Sequence, residues 1–257
     1  MKRRIIIIAL LLAGWGGLAW VVLRTKEPPE PVCQGKRLRE WLAGYNGPSP
    51  ETDEVVRRLG TNAIPTLLRM LRAKDSKVTA KLVKLVRKQH LIKFEYTDDY
   101  AKNANAARAF DSLGADAKEA VPELIKIFEQ NISSNSQNYT AWSLGAIGPA
   151  AAKAIPTLLG GTTNTYRGTR CDAIFALGKI HAEPELVVPA LTKFLKDPDR
   201  EVRASTISSL ELFGSDAKPA VSALVQSLND QNGLVRKLAK SALKKIDPEA
   251  AAKAGLK

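Results

Sequence analysis

The sequence predicts an all-α chain: an α-solenoid of helical repeats with a period of about 33 residues, preceded by one N-terminal transmembrane helix. Two observations predict the solenoid and a third predicts the membrane helix. Arg170, Arg203 and Arg236 are spaced 33 apart, and Asn164, Asp197 and Asp230 precede them at one constant offset. A second set of columns recurs in the same way: Gly114, Ala117, Ala120, Val121, Pro122 and Leu124 match Gly148, Ala151, Ala154, Ile155, Pro156 and Leu158. A period of this length, kept in register, marks a chain that stacks one supersecondary unit. Third, residues 5–23 are an uncharged run of Ile, Leu, Ala, Val, Gly and Trp. About 20 such residues in a helix match the hydrocarbon thickness of a bilayer.

From the amino terminus, residues 1–4 form a basic tail with Lys2, Arg3 and Arg4, and residues 5–23 a transmembrane signal anchor closed by Arg24. A cleaved signal peptide has a shorter apolar core, about 7–15 residues, ending at small residues. Here the run ends Leu18-Ala19-Trp20-Val21-Val22-Leu23, and Trp20 suits an interfacial anchor. Residues 24–36, with Pro28, Pro29 and Pro31, read as an extended stalk. The solenoid then spans 37–257. Capping helices are expected over 37–59, where Leu38, Trp41 and Leu42 give one apolar edge and Ser49 caps a helix opening at Pro50. A first short block (Gly60, Ala63, Ile64, Pro65, Leu67) follows, but Pro65 and Pro122 are 57 apart instead of 33. An insertion of about 24 residues, near 89–102, therefore interrupts the first full repeat. Helices are expected from Lys77 to about His90 and from Asn103 to Leu113.

Each repeat column has a physical reason. The glycine follows an apolar helical run, where a C-terminal cap wants a left-handed residue. The proline sits in the first turn of the next helix, where its missing N–H costs nothing. The alanines let two helices approach closely. In the second half of each unit, Val202, Thr206, Ser209 and Leu210 match Val235, Ala239, Ala242 and Leu243, as do Thr169, Ala173, Ala176 and Leu177. Those offsets form one face of a helix. Each unit is thus two antiparallel helices joined by a polar turn such as Lys196-Asp197-Pro198-Asp199, and no run shows the alternation of a strand. His181 stands in the glycine column, and a capping role is its simplest account.

Gly-x-x-Ala-x-x-Ala-Val-Pro-x-Leu at 114–124 and Asp-Pro-Asp-Arg-Glu-Val-Arg at 197–203 resemble the HEAT repeat family, in particular its short bacterial, lyase-type variety. The resemblance covers roughly residues 60 to 247. It implies a bacterial protein and a ladder of hydrogen bonds between neighbouring units, formed here by Asn164, Arg170, Asp197, Arg203, Asp230 and Arg236. Anion recognition is the alternative role for the same arginines. No bilin-binding signature accompanies the lyase label, so no activity is carried over with it.

Net charge is +13. Residues 69–93 hold nine basic residues against Asp75, which accounts for the whole surplus outside the first 46 positions. Within them Lys77, Lys81, Lys84, Arg87 and Lys88 fall at helical spacing as a possible anion-binding stripe. Such a stripe could follow lipid headgroups or a phosphate backbone. It carries no interleaved aromatics for base stacking, which speaks against nucleic acid. A solvated lysine face is the plainer account. For catalysis the sequence is poor: two histidines in different units, two distant cysteines (Cys33 and Cys171), and no metal, phosphate-loop or nucleophile motif. The expectation is therefore a non-catalytic, membrane-anchored scaffold that binds an unidentified protein, with no cofactor, metal or small-molecule substrate. Arg167, Asn138, Tyr139, Arg200 and Lys240 are candidates on its inner face. Three basic residues on a short tail place the solenoid outside the bacterial inner membrane, in the periplasm. The alternative is a basic-surface binder of nucleic acid or anionic headgroups through the helix at 74–93.

Overall fold

The structure, a computed structural model, describes residues 29–43, 49–76, 78, 79, 81, 83 and 96–256. The expected transmembrane run 5–23 lies outside them. Among the described residues, no helix is long and apolar enough to cross a membrane.

The described chain opens with a hairpin, β1 (Val32–Cys33) and β2 (Lys36–Arg37), pairing Val32 with Arg37 and Cys33 with Lys36. Gln34 and Gly35 both take positive φ, 52° and 75°, as a two-residue hairpin turn requires. The hairpin docks on α1 (Leu38–Ala43): Trp41 Nε1 donates to the Cys33 carbonyl at 3.0 Å, and Arg39 Nε to Glu30 at 2.6 Å. Residues 30–36, read from their prolines as a free stalk, are in fact folded against the solenoid. The Gln34-Gly35 turn outweighs the proline signal.

After α2 (Pro50–Leu59), capped by Ser49, five helix pairs follow: α3 (Ile64–Leu71) with α4 (Asp99–Leu113), α5 (Val121–Gln130) with α6 (Ser134–Ile147), α7 (Ile155–Gly161) with α8 (Arg167–Ile180), α9 (Pro184–Thr192) with α10 (Arg200–Leu212), and α11 (Val221–Ser227) with α12 (Gly233–Ile246). A short α13 (Pro248–Lys253) packs on α12. Helices α2, α4, α6, α8, α10 and α12 stack in one layer, each against the next; α3, α5, α7 and α9 stack in the other. One continuous apolar core runs between the layers from Leu38 to Ala251.

The links from α4 to α5, from α6 to α7 and from α10 to α11 are 3-10 segments: Gly114–Ala120, Gly148–Ala154 and Gly214–Ala220. A 3-10 helix repeats every three residues, which explains the Ala-x-x-Ala spacing. Ala117 and Ala120, Ala151 and Ala154, and Ala217 and Ala220 all turn the same way and are almost fully buried. The glycines opening these segments are not in the left-handed helical region expected of a cap. Gly114 has φ 53° and ψ −133°, a region essentially closed to residues with a side chain. His181 has φ 50° and ψ 45°, ordinary left-handed geometry. That difference is why a histidine can stand at 181: there α9 begins without a 3-10 lead-in, and the ring packs on Phe213 at 5.0 Å.

The first repeat also differs from expectation at its insertion. Helix α4 starts at Asp99, capped by Asp98, one turn before the expected Asn103, so residues 99–102 belong to the repeat and not to the insertion. The base of the insertion is closed by reciprocal bonds, Asp75 N to Asp99 Oδ2 at 3.3 Å and Asp99 N to Asp75 Oδ2 at 3.2 Å. The Tyr96 hydroxyl also donates to Asp75; burial, followed by this bond, pushes its pKa up to about 12. Residues 84–95 lie outside the described residues, as does most of the helix expected over 77–90.

Candidate functional site

The turns between first and second helices share one construction. Asn164, Asp197 and Asp230 each accept the backbone N–H two residues ahead, from Tyr166, Asp199 and Asn232, at 2.8 Å. Six residues after each, an arginine reaches back into the same turn. Arg170 Nη1 donates to the Asn164 carbonyl at 3.0 Å, Arg203 Nη1 to the Asp197 carbonyl at 2.9 Å, and Arg236 Nη1 to the Asp230 carbonyl at 2.6 Å. Each turn thereby has its carboxylate or amide and its carbonyls occupied.

The same arginines differ in how they meet the next unit. Arg203 grips Asp230 through two parallel bonds, Nε to Oδ2 at 2.7 Å and Nη2 to Oδ1 at 2.9 Å, with side chains 7% and 11% exposed. The guanidinium holds the Asp230 carboxyl below the ordinary range. Arg170 lies 3.7 Å from Asp197, too far for a hydrogen bond, and its Nε is buried without a partner. Arg236, in the last pair, is exposed. Two residues of this column escaped the sequence reading. Gln137, 33 before Arg170, donates to the Phe128 carbonyl at 3.1 Å and accepts from Asn164 Nδ2 at 3.3 Å. Asn103, one position off the period, donates to the Met70 carbonyl at 2.7 Å. The column is chemically continuous, as an amide in the early units and a guanidinium in the later ones. A search for arginine alone finds three of these five members.

Of the basic stripe, Lys81 is exposed, while Lys77, Lys84, Arg87 and Lys88 lie outside the described residues. A 260 Å³ cavity nearby is lined by Arg39, Thr66, Arg69, Met70, Ala73 and Lys102. Three of its six walls are cationic and none is acidic, although Arg39 is engaged by Glu30 and Lys102 lies over the Tyr96 ring at 4.9 Å.

The expected inner-face residues are dispersed. Arg167 approaches Asp199 at 3.8 Å, Arg200 pairs with Glu201 at 3.3 Å, Lys240 is exposed, and Asn138 accepts from Thr169 Oγ1 at 2.7 Å. Only Tyr139 joins a cluster, with partners the sequence reading did not select. Its ring meets Tyr100 edge-on at 5.6 Å, and on the neighbouring helices Trp142 meets Phe175 at 5.8 Å. Burial, then contact with Tyr100, pushes the Tyr139 hydroxyl above its usual pKa. Asp172, three residues before Phe175 on α8, has no hydrogen bond or ion pair with a described residue, and burial pushes its carboxyl up to about 6. The period carried the signal: Tyr139 and Asp172 are 33 apart, as are Trp142 and Phe175. Burial also pushes the Cys171 thiol up, which makes it a poor nucleophile. Among the described residues, no group of His, Cys, Asp and Glu could hold a metal ion.

No curated protein matches this chain. Among solved structures, the complex of CpcE and CpcF of phycocyanin lyase from Nostoc sp. PCC7120 matches at 20% identity and TM-score 0.50, covering 70% of this chain and 97% of that one. An engineered protein matches at 21% identity and TM-score 0.49, covering 84% of this chain and 97% of its own. A designed armadillo repeat protein matches at 17% identity and TM-score 0.45, covering 82% and 100%. Residues 155–244, which span α7 to α12 almost to its end, match the family described as HEAT repeats.

Proposed function

We propose that this chain is a membrane-tethered scaffold: the run 5–23 anchors it in a bacterial inner membrane, and the periplasmic solenoid binds another protein on the layer of second helices. The observation that carries the reading is where large apolar side chains of the repeats meet water. Tyr100, Trp142, Tyr166, Leu212 and Leu234 are 38–56% exposed, and all lie on that layer or in the turns leading into it. The opposite layer has a single described counterpart, Leu186 on α9. Exposed aromatics beside a rigid core are what interface anchors look like. A stacked solenoid presents them without reorganisation, so little ordering entropy opposes binding. The assigned role of the Asn/Asp and Arg columns is to hold successive units in register so that this face keeps its shape. No residue is assigned a catalytic role.

The anchor and its orientation are tested by protease accessibility of a carboxy-terminal tag in intact spheroplasts. Digestion before lysis fits the periplasmic reading. Protection until lysis would place the solenoid in the cytoplasm and remove that part of the proposal.

A second reading has its own observation. The cavity walled by Arg39, Arg69 and Lys102 sits at the amino-terminal end of the solenoid, next to where the chain arrives from the proposed anchor. Basic side chains there are placed to meet phosphate headgroups. Flotation with vesicles of anionic or zwitterionic lipid separates the two: this reading requires the solenoid to stay on anionic vesicles in low salt and to be released by Arg69→Glu.

A further inference from the structure

The four side chains Tyr139, Trp142, Asp172 and Phe175 form a square on two adjacent second helices. Tyr139 and Trp142 are three residues apart on α6, and Asp172 and Phe175 three apart on α8, so each pair shares a helix face. Across the helix contact Trp142 stands over Phe175 at 5.8 Å. Along the layer Tyr100 extends the aromatic row by meeting Tyr139 at 5.6 Å. Trp142 is 45% exposed, so the row opens to solvent. On α10 the positions one repeat after Asp172 and Phe175 are Ser205 and Ser208, both small side chains.

The carboxylate is the unusual member. A desolvated Asp is normally paired, because burying an unpaired charge is expensive. Asp172 has no partner among the described residues, and its carboxyl is pushed up to about 6 by burial alone. The nearby cations are occupied: Arg167 approaches Asp199 at 3.8 Å, and Arg108 donates to Asn105 Oδ1 at 3.4 Å. At neutral pH the square therefore presents an ionised, unneutralised carboxylate beside electron-rich ring faces. That combination complements a cation on a flexible stem. An ammonium or guanidinium placed there gains both the ring quadrupole and the charge-assisted bond.

Resting on the scaffold reading above, we propose that this square is the anchor point for the partner, receiving a lysine or arginine side chain of an extended basic segment between Trp142, Phe175 and Asp172. The solenoid outside residues 1–46 and 69–93 carries no net charge, so it is the local carboxylate of Asp172 that supplies the complementarity to a cation here.

The test uses the full chain in detergent micelles at pH 7.5, labelled with 5-fluorotryptophan, the Trp142 resonance being assigned by its loss in Trp142→Phe. The probe is acetyl-Gly-Arg-Gly-Arg-Gly-amide, with citrulline and glutamate versions as controls. The expected result is a saturable shift of the Trp142 resonance by the arginine peptide, with affinity lower by about tenfold for the citrulline version and for Asp172→Asn. Asp172→Asn removes the charge without removing the side chain, and its circular dichroism reports that the fold is kept. Equal binding of the three peptides, or unchanged affinity in Asp172→Asn, overturns the inference. A photo-crosslinker at Ser208 separates its failure from that of the scaffold reading. Protein adducts from Ser208 with a silent Trp142 resonance would sink only the cation site. Absence of adducts from this face would sink the scaffold reading as well.

Discussion

Arg203 is the strongest test of how the units are joined. Replacing it with methionine keeps most of the volume but removes every donor. The Asp230 carboxylate, 11% exposed, would keep only its bond from Asn232 N, and the Asp197 and Pro198 carbonyls would lose donors at 2.9 and 3.2 Å. Breaking a buried ion pair from one side costs about 3–5 kcal/mol. In a domain of this size that is a fall in Tm of about 6–20 °C. Arg170→Met should cost less, about 1–2 kcal/mol, because its pair with Asp197 is beyond hydrogen-bond reach and one carbonyl bond at 3.0 Å dominates. Arg236→Met should cost least, since that side chain is exposed. Urea unfolding of the full chain in micelles, followed by circular dichroism, gives the order. A double-mutant cycle of Arg203→Met with Asp230→Leu isolates the pair. Three equal costs, or a coupling energy near zero, would show that the regular column is not what links the units.

The remaining predictions concern the backbone and pH. Gly114→Ala should destabilise by about 1–3 kcal/mol through backbone strain alone, since nothing lies within 4 Å of the added Cβ, and calorimetry reads it directly. Gly160→Ala, with equally open surroundings and no positive φ, should be neutral or stabilise by up to about 1 kcal/mol in the same assay. Gly178→Ala should cost about 1–3 kcal/mol for a different reason, because its Cβ would stand 2.8 Å from the Ser209 backbone and force α8 from α10. Asp172 binds its proton more tightly folded than unfolded, so it adds stability in acid that is lost as pH rises from about 4 through about 6. Asp172→Asn should therefore stabilise the chain at pH 7 by up to about 3 kcal/mol and flatten that part of the pH profile. Asp230 has the opposite sign: its depressed carboxyl contributes above about pH 4, and that contribution disappears as pH falls further.

The helical architecture was legible because it is written as a period. Columns such as Val202, Thr206, Ser209 and Leu210 mark one buried face, and the structure buries all four. Geometry that depends on a single dihedral was less legible. Glycine at 114 and histidine at 181 share a column yet occupy different regions of backbone space, because the link after 114 is a 3-10 segment and that after 181 is not. Chemical substitution within a column hid Gln137 and Asn103, whose amides take the place of a guanidinium. The aromatic square was missed for another reason. Apart from Tyr139, each of its members reads as an ordinary amphipathic position until α6 and α8 lie side by side. Gly145, whose added Cβ would stand 3.1 Å from the Ala176 Cα, is what lets the two helices approach so closely.

The claim that the second-helix layer is the binding face is tested most directly by site-specific photo-crosslinking of the full chain in living cells. One crosslinker replaces Ser208 on α10, and the other replaces Glu185, which is exposed on α9 in the opposite layer. The account predicts discrete protein adducts from position 208 that vanish when Trp142 is changed to Ala, and none from position 185. Adducts from 185 alone, or adducts from 208 that ignore Trp142, would contradict it.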